Sequence, residues 1–113
     1  MTTSTLDCSN RNLSDSLLNE ILNIFTLNPL ISQVNHLILY SNQLTRVPTQ
    51  IPLMRWLTFV NLSDNKIQTV ESASFDFASN KMNLIDLSSN QITSIQSNAF
   101  LGIRLTSNDE YLL

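Results

Sequence analysis

The protein has 113 residues, of which 42% are apolar and only 13% are charged, and its net charge is −3. This composition indicates one folded domain with a small hydrophobic core and argues against disorder. A single Gly, a single Cys and a single His exclude a Gly-rich phosphate loop, an internal disulfide and an ordinary four-ligand zinc site.

The first predicted element is a short strand within residues 6–14. Leu6 and Cys8 alternate along it and point to one face, and Leu13 takes a further core position after the strand. The pattern is weaker than in the segments that follow, so we interpret it as a degenerate strand of the same kind.

A helix is predicted over Ser16–Phe25, where apolar residues recur at helical spacing and gather on one face. Ser14 or Asp15 caps its start, and Asn28-Pro29 ends it. We expect this helix to pack against the segment that follows. The alternative is a helix that binds a partner.

Three segments then share the pattern L-x-x-L-x-L-x-x-N-x-L, with an aliphatic residue at every L position. They are VNHLILYSNQL (residues 34–44), LTFVNLSDNKI (57–67) and MNLIDLSSNQI (82–92). Their asparagines, Asn42, Asn65 and Asn90, are 23 and 25 residues apart. Unrelated amphipathic strands would not fix an asparagine at one offset, so the segments are predicted to be repeats of one structural unit.

Each residue type in the repeat has a physical role. Leu37 and Leu39 point into the core, whereas Ile38 and Tyr40 point to the other face of a short strand. Stacked repeats form a parallel sheet whose leucine faces share one interior.

The turn after each strand has buried backbone groups that need hydrogen-bond partners. The amides of Asn42, Asn65 and Asn90 both donate and accept, so we predict a ladder of asparagines that bonds the turns of neighbouring repeats. The return segments are predicted to direct apolar side chains into the core. These are Val47, Val70, Ile95, Phe75 and Phe100.

The repeats resemble the typical, extracellular subclass of the leucine-rich repeat family, in which Pro follows the apolar residue of the return segment and a Phe comes later. Val47-Pro48 and Ser97–Phe100 match that subclass, whereas the first repeat has Pro52 in place of the Phe and the second has an extra residue around 79–81. The resemblance covers Val34 to about Ile103. It implies an α/β fold: a right-handed solenoid with a short parallel β-sheet on the concave face and one N-terminal helix.

Both ends of the chain allow two interpretations. Residues 6–14 resemble the end of the cysteine-containing N-terminal cap of secreted family members, with Arg11 in the asparagine position; in that cap the cysteine pairs with an upstream cysteine. We favour the simpler interpretation, that Cys8 is a small buried residue of the first strand. Residues 105–113 complete no motif and form either a makeshift cap or the start of a further repeat, and the strand edge after 82–87 is expected to be exposed.

We therefore predict a single leucine-rich repeat domain over residues 1–113. Its parts are a cap-like strand and helix (1–33), three repeats (34–56, 57–81 and 82–104) and a C-terminal tail (105–113).

The resemblance places partner binding on the concave sheet, so the candidate site consists of the outward side chains of the three strands and one turn residue. These are Asn35, His36, Ile38, Tyr40, Thr58, Phe59, Asn61, Ser63, Asp64, Asn83, Leu84, Asp86 and Ser88. The row His36, Phe59 and Leu84 is apolar and aromatic with a polar surround, as in a binding hot spot. The alternative is cross-strand packing without a ligand.

The sequence thus predicts a non-catalytic module that binds a protein partner. The alternative is a structural segment of a larger receptor or scaffold that self-associates through open solenoid ends. We expect no cofactor, metal or catalytic residue, because His36 beside Asp64 or Asp86 lacks a nucleophile. The acidic balance argues against nucleic acid, and no apolar run is long enough for a membrane span.

The sequence is compatible with more than one cellular compartment. The subclass suggests an extracellular or cell-surface protein, whereas residues 1–14 contain no apolar signal segment, which leaves the cytoplasm as an alternative. Two glycosylation sequons, at Asn12 and Asn61, are compatible with either.

Overall fold

The computed structural model describes residues 4–26, 33–75, 82–100 and 110–112. Its elements are β1 (Thr5–Asp7), α1 (Asp15–Thr26), β2 (His36–Ile38), a 3-10 helix (Ile51–Leu53), β3 (Phe59–Asn61), β4 (Thr69–Val70), β5 (Leu84–Asp86), β6 (Ser94–Ile95) and β7 (Glu110–Leu112). A five-stranded parallel sheet has the order β1-β2-β3-β5-β7, and β4 pairs with β6 in a second, two-stranded sheet. The architecture is an α/β repeat fold.

The strands align at equivalent positions of the repeat. Leu37 pairs with Val60, and Val60 pairs with Ile85. Leu6 pairs with Leu37 in the same register, so the degenerate segment at residues 6–14 supplies a strand, as expected. The middle residues of β2, β3 and β5 are fully buried.

One continuous core lies under the sheet. It contains the two leucines or their equivalents from each repeat, among them Leu39, Leu62 and Leu87. The apolar residues that follow the first two asparagines, Leu44 and Ile67, also belong to it, whereas Ile92 is partly buried against it. Cys8 belongs to the same cluster and is buried.

The asparagines connect successive repeats. The Nδ2 of Asn65 donates to the Leu39 carbonyl of the preceding repeat and to the Leu62 carbonyl of its own, each at 3.1 Å. Its Oδ1 accepts from the Leu44 N–H at 3.1 Å. A single amide therefore satisfies buried backbone groups of two adjacent turns, which strand pairing leaves without partners.

The same arrangement recurs on both sides of Asn65. Asn42 bonds the Cys8 carbonyl and the Leu13 N–H, and Asn90 bonds the Leu62 carbonyl and the Ile67 N–H. Asn42 and Asn65 are buried, whereas Asn90 is half-exposed at the later end of the row.

Each of these turns has a left-handed residue at the same position of the repeat, and the first turn has a second one, Asn12, with φ 54°. Asn10, Ser41, Asp64 and Ser89 have φ between 53° and 56°. Short polar side chains tolerate this region better than branched ones. The repeat therefore conserves the turn geometry while the residue itself varies.

Helix α1 packs against the first repeats, as expected, through the buried Leu18 and Leu22. The Ser14 hydroxyl accepts from the Leu17 N–H at 3.3 Å and caps the helix. Asp15 instead accepts from the backbone N–H and the hydroxyl of Thr45. The predicted helix end at residues 28–29 lies outside the described residues.

Gln50 joins the helix to the return segment of the first repeat. Its Nε2 donates to Oδ1 of Asn19 at 3.1 Å and to Oδ1 of Asn23 at 2.9 Å. Gln50 itself is buried, so this amide fixes the helix against the 3-10 turn that replaces the missing Phe.

The structure confirms most of the core residues that were predicted in the return segments. Val47 and Val70 are buried, and the buried Phe75 stacks on Phe100 with ring centroids 5.3 Å apart. Ile95 is a correction, because 42% of its surface is exposed. Its strand β6 has a neighbour, β4, on one side only among the described elements, so no further return strand covers it. The extra residue around 79–81 lies outside the described part of the chain.

The C-terminal tail supplies a strand. In β7, Tyr111 pairs with Ile85 in the parallel register used between earlier repeats. The tail therefore extends the sheet as the start of a further repeat would, and does not fold over it as a cap. The expectation of an exposed edge beside β5 is consequently wrong.

Candidate binding face

The register of the sheet assembles the predicted site residues into rows. Backbone pairing places His36 beside Phe59 and Phe59 beside Leu84. Two positions along each strand, the next row contains Ile38, Asn61 and Asp86. We call this side of the five-stranded sheet the open face; it carries the side chains of alternate strand residues, opposite the core.

The two outer rows follow the same order. The Thr58 N–H donates to the Asn35 carbonyl and the Asn83 N–H donates to the Thr58 carbonyl, at 2.8 and 2.7 Å. Beyond the strands, the turn bonds from Ser41 to Ser63 and from Asp64 to Ser88 continue the alignment. None of the thirteen predicted residues is buried, so all of them retain accessible surface.

The centre of the open face is apolar and aromatic. The rings of His36 and Phe59 lie 5.3 Å apart between centroids at an interplanar angle of 47°. Phe59, Leu84 and Ile38 are half-buried, and Tyr40 is 39% exposed. Aromatic side chains have few rotatable bonds, so the cluster loses little side-chain entropy when a partner covers it.

A polar motif recurs in the row below the aromatic one. Oδ1 of Asn61 accepts from the Ser63 N–H at 3.0 Å and from its hydroxyl at 2.7 Å. Oδ1 of Asp86 accepts from Ser88 in the same way, at 3.0 and 2.6 Å. These bonds fix the orientation of each side chain on the face.

The sequence interpretation missed a third copy of this motif. Asp7 lies in the same row, paired with Ile38, and its Oδ1 accepts from the N–H and hydroxyl of Ser9. These bonds, with a smaller contribution from Arg11, lower the pKa of the Asp7 carboxyl. Asp7-Cys8-Ser9 and Asp86-Leu87-Ser88 share the sequence pattern Asp-x-Ser. This pattern is the signal that identifies the third copy.

Asn35 and Asp64 also have intramolecular partners. Asn35 accepts from the Ser4 N–H through Oδ1 and donates to the Trp56 carbonyl through Nδ2. Asp64 accepts the Ser41 hydroxyl at 2.6 Å. Asn35 therefore bridges the segments that precede β1 and β3.

Trp56 and Leu53 were not predicted as exposed, yet 47% and 63% of their surfaces are accessible. Trp56 directly precedes the strand segment that begins at Leu57, and its carbonyl accepts from Asn35 Nδ2. In the sequence, only the presence of a tryptophan could have indicated a role for this position, because the repeat pattern assigns it none.

Over residues 4–26, 33–75, 82–100 and 110–112, no group of three His, Cys, Asp or Glu side chains is placed to hold a metal ion. Burial raises the pKa of the Cys8 thiol, which keeps it protonated and weakly nucleophilic. The helix in this part of the chain is too short to cross a membrane.

A comparison with protein families identifies the repeat unit. Residues 55–107 match the family model described as leucine rich repeat. No solved structure matches the chain. The match includes the second and third predicted repeats, and the first lies beside them in the same register.

Proposed function

The chain carries repeats of the leucine-rich repeat family, and from that premise we propose that it is a non-catalytic module that binds a protein partner through the open face. Domains of this family generally mediate protein–protein interactions and are generally not enzymes. The observation that carries the proposal is the half-exposed row of His36, Phe59 and Leu84, which the strand register aligns.

The proposed mechanism combines apolar burial with oriented hydrogen bonds. A partner covers the Phe59-centred row, and Asn61, Asp86 and Tyr40 supply polar contacts around it. The serine bonds to Asn61 and Asp86 hold these groups in place before binding, which reduces the entropy lost on association.

We further propose that the repeats wind as a right-handed solenoid with the open face on its concave side. The parallel order of the strands supports this winding. The resemblance of the return segments to the extracellular subclass supports a location outside the cell or on its surface.

Phe59→Ala tests the site. We expect it to weaken binding by about 2 kcal/mol, because a centrally placed aromatic side chain carries much of the binding energy of such a surface. The measurement is titration of a partner, isolated with the wild-type chain as bait, against wild-type and variant proteins. Unchanged affinity would move the site elsewhere.

Ile24→Ala is the matched control. Ile24 lies on α1, is 70% exposed and is outside the open face. Its truncation removes a similar accessible apolar side chain, so partner affinity should stay within about 0.5 kcal/mol of the wild-type value.

The alternative function is a structural one, in which copies stack end to end. The strands β1 and β7 are the two edges of the sheet within the described residues, and edge strands pair readily with other chains. This alternative predicts that the apparent mass in sedimentation rises with protein concentration. It also predicts that Phe59→Ala leaves every interaction unchanged.

A further inference from the structure

The row Asp7, Ile38, Asn61 and Asp86 has a carboxylate on β1 and another on β5, and Leu112 of β7 continues the row beyond Asp86. Asp7 and Asp86 are separated by three strand spacings, which amounts to about 14 Å. Ile38 and Asn61 lie between them. These four residues therefore present a carboxylate, an apolar side chain, an amide and a second carboxylate, in that order across the strands.

Both carboxylates are held in one orientation. In each, Oδ1 accepts the N–H of the serine two residues later at 3.0 Å and its hydroxyl at 2.6 Å. The second oxygen, Oδ2, has no hydrogen-bond partner among the described residues. Each aspartate is thus a positioned acceptor with an unused oxygen.

Little positive charge opposes them. The four strands β1, β2, β3 and β5 contain no Lys or Arg. Arg11 follows β1 and lies near enough to influence Asp7, but forms no ion pair with it in the part of the chain that the structure describes. The open face is therefore complementary to a cationic partner.

Resting on the proposed function, we propose that the open face takes an extended peptide segment with cationic residues at positions i and i+4 and an apolar residue at i+2. Alternate side chains of an extended segment point the same way, and its i and i+4 residues are about 14 Å apart. The two cations reach Asp7 and Asp86, and the apolar residue between them covers Ile38 beside Phe59.

The probe for the test is a random peptide library displayed on phage, selected on the wild-type chain. The selected peptides are then titrated against Phe59→Ala, against the double variant Asp7→Asn with Asp86→Asn, and against Glu20→Gln. Asparagine keeps the Oδ1 acceptor, and Asn61 already makes the same serine bonds in this row, so the double variant retains the local structure.

Glu20→Gln is the control for the loss of a negative charge elsewhere on the protein. Glu20 lies on α1, is exposed and is outside the open face. The expected result is selection of peptides with Lys or Arg at i and i+4. Their affinity should fall at least about tenfold in Phe59→Ala and in the double variant, but less than about threefold in Glu20→Gln.

Two other outcomes would contradict the proposal, and they distinguish a wrong peptide segment from a wrong binding site. Peptides that depend on Phe59 but lack the cationic pair, or that bind the double variant equally well, would refute the cationic segment and leave the proposed binding function intact. If no selected peptide depends on Phe59, both the segment and the proposed site are wrong.

Discussion

At the scale of the residue, the asparagine in the turn has the most demanding role. Asn65 satisfies the Leu44 N–H and the carbonyls of Leu39, Leu62 and Ser63 through one amide. A buried polar group without a partner costs more than an average hydrogen bond contributes. The asparagine is thus required because no strand neighbour is available to these backbone groups.

Asn65→Ala should therefore lower the free energy of unfolding by about 3 kcal/mol, since it leaves several buried backbone groups without partners. Asn90→Ala should cost about half as much, because Asn90 is half-exposed and water replaces part of its bonding. Urea denaturation of both variants measures the difference. Equal losses would contradict the dependence on burial.

At the scale of the element, the turns determine where the chain reverses. The return segments contain two left-handed residues at equivalent positions, Ala73 with φ 62° and Asn98 with φ 65°. Asparagine tolerates this conformation, whereas the Cβ of alanine makes it unfavourable. The N–H of Ala73 donates to the Asn98 carbonyl at 3.0 Å, so tertiary bonding holds alanine in this conformation.

Ala73→Gly should raise the free energy of unfolding by about 0.5–1 kcal/mol, because glycine adopts positive φ without the Cβ penalty. Ala99→Gly is the matched control: Ala99 is buried and its φ is not positive. That change should lower stability by about 1 kcal/mol, through lost burial and added chain entropy. Thermal melting compares the two, and a loss of stability in Ala73→Gly would contradict the argument.

At the scale of the whole molecule, one core connects β1 to the third repeat. Cys8, Leu39, Leu62 and Leu87 belong to a single buried cluster, and each repeat contributes to the environment of its neighbours. Repeats of this kind cannot bury their apolar faces alone. The described repeats should therefore unfold as one cooperative unit.

Leu62→Ala tests this cooperativity. The side chain is fully buried, so its truncation should cost about 2–5 kcal/mol. Trp56 fluorescence and far-ultraviolet circular dichroism should shift together, since both report the same transition. A shift in one signal alone would show that the repeats unfold separately, and a wild-type midpoint would contradict the core assignment.

The sequence by itself determined the features of the structure that recur in every repeat. Alternation of apolar residues and an asparagine at one offset gave the strands, the register of His36, Phe59 and Leu84 and the partners of the ladder. A repeat array places equivalent residues side by side, so a local pattern is enough to predict these neighbours.

Only the tertiary structure decided what happens where the repetition is imperfect. In the structure, Asp7 lies in the row with Asp86, and β7 pairs with the outer side of β5. Ser14 caps the helix, whereas Asp15 accepts hydrogen bonds from Thr45. Ile95 is exposed. Each outcome depends on which neighbour is present at an end of the array. A periodic pattern carries no information about that neighbour, because burial and pairing at an end are set by contacts between residues distant in sequence.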